Sequence, residues 1–153
     1  MRRSRSTSSA LVVGALAATG WLGWQELWAH GGTRALPWRD LTARTVGEPG
    51  RSQLRAFGNT RDLRAALGSS ATVPPIDFGS REAVLVAAGP RSSSAYALDI
   101  VGVTAQRRRV VVTVRERAPT LARPGAARLA FPFRLITIER SGKPVELDWE
   151  GRP

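Results

Sequence analysis

The residues EAVLVAAG, from Glu82 to Gly89, constrain the fold more than any other part of the sequence. After Glu82 every position is apolar or glycine, so both faces of an extended segment would be hydrophobic. A strand of this kind is stable only when other parts of the protein cover both of its faces. We therefore expect Glu82 to Gly89 to form a central strand of a layered β structure.

Further runs of strand-forming residues lie before and after this one. In YALDIVGV, which begins at Tyr96, the alternation places Tyr96, Leu98 and Ile100 on one face and Asp99 on the other. We expect this strand to pair with the strand at 82–89, which precedes it directly. The other strand candidates are residues 41–46, 107–117, 131–140 and 145–149.

One helix is predicted early in the domain, in NTRDLRAALG. Asn59 or Thr60 can serve as the N-cap, Asp62 lies in the first turn, and Gly68 is a typical stop signal. Together with the strand candidates, this helix predicts a mainly β fold. We expect an antiparallel β-sandwich or open barrel of five to six strands, with one short helix early in the domain.

The N-terminal residues predict export across a membrane. Arginines precede an apolar run from Ala10 to Trp24, which is shorter than the roughly 20 residues that span a bilayer as a helix. The small residues Ala18 and Gly20 suit cleavage before Trp21, as in a signal peptide. A cluster of tryptophans at the end of the run favours a retained membrane anchor instead. Both alternatives predict an extracytoplasmic domain.

Composition divides the remaining chain into two parts. Residues 25–50 are rich in glycine, proline and charge and are expected to form a tether, whereas residues 51–150 are expected to form the β domain. The chain contains no cysteine, which excludes disulfides, thiolate chemistry and a cysteine-linked lipid anchor. Packing alone must therefore stabilise the domain.

The chain is strongly basic, with a formal charge of +11. All of its basic residues except Lys143 are arginine, a skew that fits codon bias in a GC-rich genome. The turn from Gln106 to Arg109 is basic but has no aromatic residues between its arginines, so we expect no nucleic-acid binding. The alternative for this turn is attraction to anionic lipid headgroups or to an acidic partner.

The sequence offers little catalytic chemistry. Its only histidine, His30, lies in the expected tether, so a Ser-His-Asp arrangement is not expected. No cluster of metal-ligating residues and no glycine-rich phosphate loop is evident, and we expect no metal, no cofactor and no enzymatic activity. The alternative is a hydrolase whose acid and base are carboxylates. Its candidates are Asp77, Asp99, Glu116 and Asp148.

From Ile76 to Leu147 the order of features resembles the C-terminal domain of PrcB-like protease-complex proteins. Asp77-Phe78 precedes a hydrophobic strand, Gly89-Pro90 ends it, and Tyr96 opens the next strand. The segments VVVTVRERAP, RPGAARLAFPFRLITI and KPVEL follow in the family's order. The resemblance implies a noncatalytic partner or accessory subunit of a secreted or surface protease. This sequence departs from the family's pattern at Ser94-Ala95, where two glycines usually precede the aromatic residue.

The loop that contains three serines is the candidate site for a protein partner. Its proposed contact residues are Pro90, Ser92, Ser93, Ser94 and Tyr96. As a presented loop it would suit partner recognition, including insertion into a protease cleft as in small inhibitors. In the alternative interpretation Tyr96 packs into the core and the serines form a solvated turn. Both interpretations predict that substituting the serines leaves thermal stability nearly unchanged.

Outside this loop, Asp77 is expected to brace the turn before the central strand.

Overall fold

The computed structural model describes residues 32–150 of the chain. The predicted leader, residues 1–24, and the first part of the expected tether lie outside the described residues. Within residues 32–150, no helix is long and apolar enough to cross a membrane.

Eight strands, one α-helix and one turn of 3-10 helix make up the described chain. The strands are β1 (Arg34–Ala35), β2 (Trp38–Asp40), β3 (Ser52–Phe57), β4 (Arg81–Ala88), β5 (Ala97–Ala105), β6 (Val110–Arg117), β7 (Phe133–Glu139) and β8 (Val145–Glu150). The helix α1 spans Thr60–Leu67, and the 3-10 turn spans Thr42–Arg44.

The strands form two four-stranded open sheets. One has the order β1-β5-β6-β8 and the other β2-β7-β4-β3. All neighbours are antiparallel except β6 and β8, which are parallel because β7 lies between them in sequence but belongs to the other sheet. The predicted mainly β fold with one short helix is thus confirmed. The described chain has eight strands rather than five or six.

The central strand β4 is buried on both faces, as its sequence predicts. Val84 and Val86 belong to the main core, together with inward-facing residues of both sheets. Ala83 and Leu85 point the other way, into a second core that includes the buried face of α1. The strand lies between β3 and β7, so its edges are also covered.

The helix forms where the capping signals predict it. Asn59 is the N-cap, and its side-chain oxygen accepts a hydrogen bond of 2.9 Å from the backbone amide of Asp62. Gly68, with φ of 109°, ends the helix. Leu63 and Leu67 are fully buried in the second core, so α1 covers the side of the β2-β7-β4-β3 sheet opposite the main core.

Two expectations about strands are wrong. The segment Leu41–Val46 is not a strand, because Asp40 accepts a hydrogen bond from the Thr42 amide and Thr45 donates to the Leu41 carbonyl, which stabilises the 3-10 turn. The strands β4 and β5 do not pair with each other. The loop between them crosses from one sheet to the other instead of forming a hairpin.

The folded unit also takes in part of the segment that was expected to be a tether. The compact unit begins at Gly32. The short strands β1 and β2 precede β3, and Leu36 and Leu41 are buried in the two cores. These residues therefore contribute apolar burial to the domain.

The expected bracing role of Asp77 is present in the structure. Its carboxylate accepts hydrogen bonds from the Ser80 hydroxyl at 2.7 Å and from the Gly79 amide at 3.0 Å. These bonds, the Ser80 hydroxyl foremost, lower the pKa of Asp77 below its ordinary value. They favour the ionised form of Asp77 and hold the turn that leads into β4.

We predict that Asp77 contributes to acid sensitivity. Because the folded-state pKa of Asp77 is depressed, its contribution to stability is complete above the unfolded-state pKa of about 3.9 and is lost as the pH falls through the folded value. The D77N variant should lose this part of the pH dependence. Thermal unfolding of the native chain and of D77N across the acid range measures this pH dependence, and an NMR titration of the carboxyl groups follows Asp77 directly. Identical dependence of stability on pH in the two proteins would contradict the prediction.

Candidate functional site

Two loops meet at one end of the domain and form what we call the loop face, residues 89–96 and 118–132. The first loop joins β4 to β5, and the second joins β6 to β7. Backbone hydrogen bonds connect them, with Arg91 and Ala130 exchanging both of their bonds at 2.8 and 2.9 Å. The two loops are therefore held together by the same kind of pairing that links strands.

Two of the three serines fasten the first loop to the second. The Ser94 amide donates to the Ala126 carbonyl, and the Ser94 hydroxyl accepts from the Ala126 amide, both at 3.0 Å. The Ser93 hydroxyl donates to the Pro124 carbonyl at 2.8 Å and accepts from the Ala95 amide. These side chains satisfy backbone groups of an irregular segment that has no regular partner strand.

The proposed contact residues differ in how accessible they are. Pro90 and Ser92 are exposed, Ser94 and Tyr96 are partly buried, and Ser93 is buried. Because Ser93 is buried and bonded to Pro124, the expectation that all three serines can be substituted without loss of stability is wrong. Whether the loop binds a partner stays a prediction.

Tyr96 does not take the core position expected for it. It precedes β5, which begins at Ala97, and the guanidinium of Arg91 lies 5.9 Å from the centroid of its ring. Leu98 is fully buried in the main core, and Ile100 packs against that core. The phenol ring is therefore half-buried within the loop face, where an arginine covers it.

An ion pair anchors the first loop to the sheet below it. The Arg91 Nε atom lies 2.6 Å from Glu116 Oε1, and both side chains are largely buried. The hydrogen bond that Arg91 donates to Glu116 raises the pKa of Arg91 above its ordinary value, so the guanidinium keeps its charge. Since this pair is partly buried and joins residues 25 positions apart, it ties the loop to β6.

The structure separates the carboxylates that were considered for acid-base catalysis. Asp77 braces its turn, Glu116 binds Arg91, and Asp148 lies on the exposed side of β8. Asp99 lies 2.5 Å from Arg117 and 3.4 Å from Arg134. Within the described part of the chain, no group of three or more histidine, cysteine or acidic side chains could hold a metal ion.

The second loop carries the most exposed apolar side chains of the described domain. Residues 121–129 are all exposed; Leu121 is entirely accessible and Leu129 is 66% accessible. Leu121 lies in a tight turn in which Thr120 and Arg123 exchange backbone hydrogen bonds at 2.9 and 3.2 Å. The sequence marks this surface only by two leucines in a loop made mostly of alanine, proline, glycine and arginine, and no expectation above included them.

An open groove of about 460 Å³ lies beside this turn. It is lined by Ala95, Ala97, Arg117, Ala118, Thr120 and Arg123. The three alanines have small side chains, while the two arginines provide hydrogen-bond donors. The loop face therefore combines exposed leucines with guanidinium groups, which suits contact with another protein more than binding of a small molecule.

Comparisons with protein-family models, with curated proteins and with solved structures find no match to this chain. The resemblance to the PrcB C-terminal domain therefore stays a prediction.

We predict that Gly125 is essential for joining the two loops. Its φ is 67°, and a Cβ atom built there would lie 2.6 Å from Ala95 Cβ and 2.7 Å from Ser93 Oγ. The G125A variant combines a strained backbone with a clash, so it should lose about 2–4 kcal/mol of unfolding free energy. Urea unfolding measures this loss.

Gly142 provides the matched control. Its φ of 63° is nearly the same, but a Cβ atom there would have nothing within 4 Å. The G142A variant should therefore lose only the backbone contribution, about 1–2 kcal/mol. Equal losses in the two variants would show that the loop contact at Gly125 contributes nothing to stability.

Proposed function

We propose that this chain is a noncatalytic, extracytoplasmic binding module that contacts a protein partner through the loop face. The observation that carries the proposal is the exposure of Leu121 and Leu129 on a loop that is hydrogen-bonded to its neighbour. Two exposed leucines on one hydrogen-bonded loop provide apolar area that a protein partner can bury.

The energetics of the loop face favour binding. Burying an exposed leucine contributes about 1.5–3 kcal/mol, and two such residues can anchor a contact. The bonds of Ser93 and Ser94 to the second loop fix its backbone before a partner arrives, so little ordering entropy is lost on binding. Arg123 adds a guanidinium, a group enriched at interfaces.

The resemblance to PrcB-like proteins suggests the class of partner, a secreted or surface protease for which this chain would be an accessory subunit. A second candidate function is inhibition of that protease. The observation in its favour is the tight turn from Thr120 to Arg123, which presents Leu121 at its tip as inhibitor loops present a side chain to a cleft.

We predict that the double variant L121D/L129D loses partner capture and keeps its stability. Both side chains are exposed, so the melting temperature should change little, whereas capture affinity should fall by roughly tenfold or more. The measurement is crosslinking of the full-length chain in the native cell envelope, followed by identification of the captured protein. If a protease is captured, an assay of its turnover with and without this chain separates the two candidate functions, because only an inhibitor would slow that turnover.

The V46D variant is the matched control, because Val46 is equally apolar and 65% accessible but lies in the segment before β3. It should capture the partner as the native chain does. Equal capture by the native chain and by L121D/L129D would exclude the loop face as the contact surface.

We further predict that the full-length chain hydrolyses no ester, peptide or glycoside substrate in a broad panel. The panel tests the remaining alternative, a hydrolase that uses carboxylates. Turnover that is abolished by D99A or D77A would contradict the proposal, since it would assign a catalytic role to a carboxylate that here binds arginines or braces a turn.

A further inference from the structure

The strand β3 has one edge that no described strand covers. Its six residues, Ser52–Phe57, pair in unbroken register with β4, from Ser52 opposite Ala88 to Phe57 opposite Ala83. Within residues 32–150, β3 is the last strand of its sheet. Such an edge presents a row of backbone donors and acceptors that can pair with another extended chain.

The other edges of the sandwich are shorter, carry features that hinder strand addition, or are acidic. The edge strand β8 has six residues, as β3 has, but its exposed side chains are Glu146, Asp148 and Glu150, which would repel an acidic chain. β1 and β2 have two and three residues. The part of β5 that β1 does not reach contains a bulge between Ile100 and Gly102, and Arg134 donates to its Leu98 carbonyl. Bulges and capped carbonyls are ways in which proteins protect an edge from a new strand.

A groove runs beside β3, between this strand and α1. Its volume is about 530 Å³, and it is open to solvent. Gln53 and Arg55 line it from β3, while Asp62, Ala65 and Ala66 line it from α1. The small alanine side chains leave space for the side chains of a chain lying along the edge.

Two arginines on the β3 side of the groove have no acidic partner. Neither Arg51 nor Arg55 forms an ion pair within residues 32–150, and the Arg55 guanidinium lies 5.0 Å from the ring centroid of Phe57. By contrast, Arg109, Arg115 and Arg117 on the opposite sheet are each bound to a carboxylate.

The acidic residues of the groove are placed differently. Asp62 lies in the first turn of α1, and its carboxylate accepts a hydrogen bond of 2.9 Å from the Asn59 side chain, so part of its charge is already compensated. Glu48 lines the end of the groove near Gly68. On the β3 side of the groove the charged residues are Arg51 and Arg55, which favours an acidic ligand along this strand.

We propose that the groove between β3 and α1 binds an extended acidic peptide segment, which adds a strand to the free edge of β3. Backbone hydrogen bonds to β3 provide the affinity, and every second side chain of the peptide enters the groove. Arg51 and Arg55 are four residues apart, or about 13 Å along an extended chain. A matching peptide therefore carries carboxylates four residues apart, each paired with one guanidinium.

The test uses a fluorescent nine-residue peptide that alternates polar residues with valine, with aspartate at its third and seventh positions and threonine at the other polar ones. We expect saturable binding to the full-length chain, with slower hydrogen exchange at the amides of residues 52–57. The same peptide with asparagine for aspartate should bind roughly tenfold more weakly. A peptide methylated at alternate backbone nitrogens should not bind, because it cannot pair with the strand.

Two variants make the test specific. R55Q should weaken binding roughly tenfold, whereas R39Q should not, although it makes the same change in charge on β2 at the opposite edge of the same sheet. The L121D/L129D variant should bind the peptide normally, so this proposal and the proposed function fail independently. The proposal is overturned by lack of saturable binding, by equal effects of R55Q and R39Q, or by binding that leaves the β3 amides unprotected.

Discussion

The burial of β4 on both faces is the constraint on which the rest of the structure depends. Val84 and Val86 need a second sheet opposite them, while Ala83 and Leu85 need cover on the other side, where α1 lies. Neither core can form without this strand, since it contributes to both. The acidic residue of β4, Glu82, is buried near the start of the strand. Its carboxylate accepts hydrogen bonds from the Ser141 amide and hydroxyl.

Arginine has two different structural uses on the two sides of this sandwich. On one edge, Arg134 of β7 lies 3.6 Å from Asp40 and 3.4 Å from Asp99, so it bridges both sheets. A guanidinium suits this position because its donors can bind several acceptors at once. Beside α1, Arg51 and Arg55 form no ion pair with any residue from 32 to 150, and their charge is available to a ligand. The excess of arginine over lysine in the composition also fits codon bias, so the two uses become distinct only when the partners of each arginine are known.

The sequence predicts what is local and repeated, and it fails where long-range contacts decide. The double-sided apolar run of β4 and the capping residues of α1 are local signals, and both elements form as predicted. Strand β3 was missed because only Leu54 and Ala56 of its residues pack against the main core, whereas Gln53 and Arg55 face the groove. The bonds of Ser93 and Ser94 to residues about thirty positions later leave no periodic signal.

The same long-range contacts give the serine loop a supporting role within the loop face. The Ser93 hydroxyl donates to the Pro124 carbonyl, and the Ser94 hydroxyl accepts from the Ala126 amide, so both side chains hold the second loop in place. What they hold in place is the second loop, whose exposed side chains include Leu121. Recognition by side chains on this loop requires a fixed backbone beneath them, and the serines provide it.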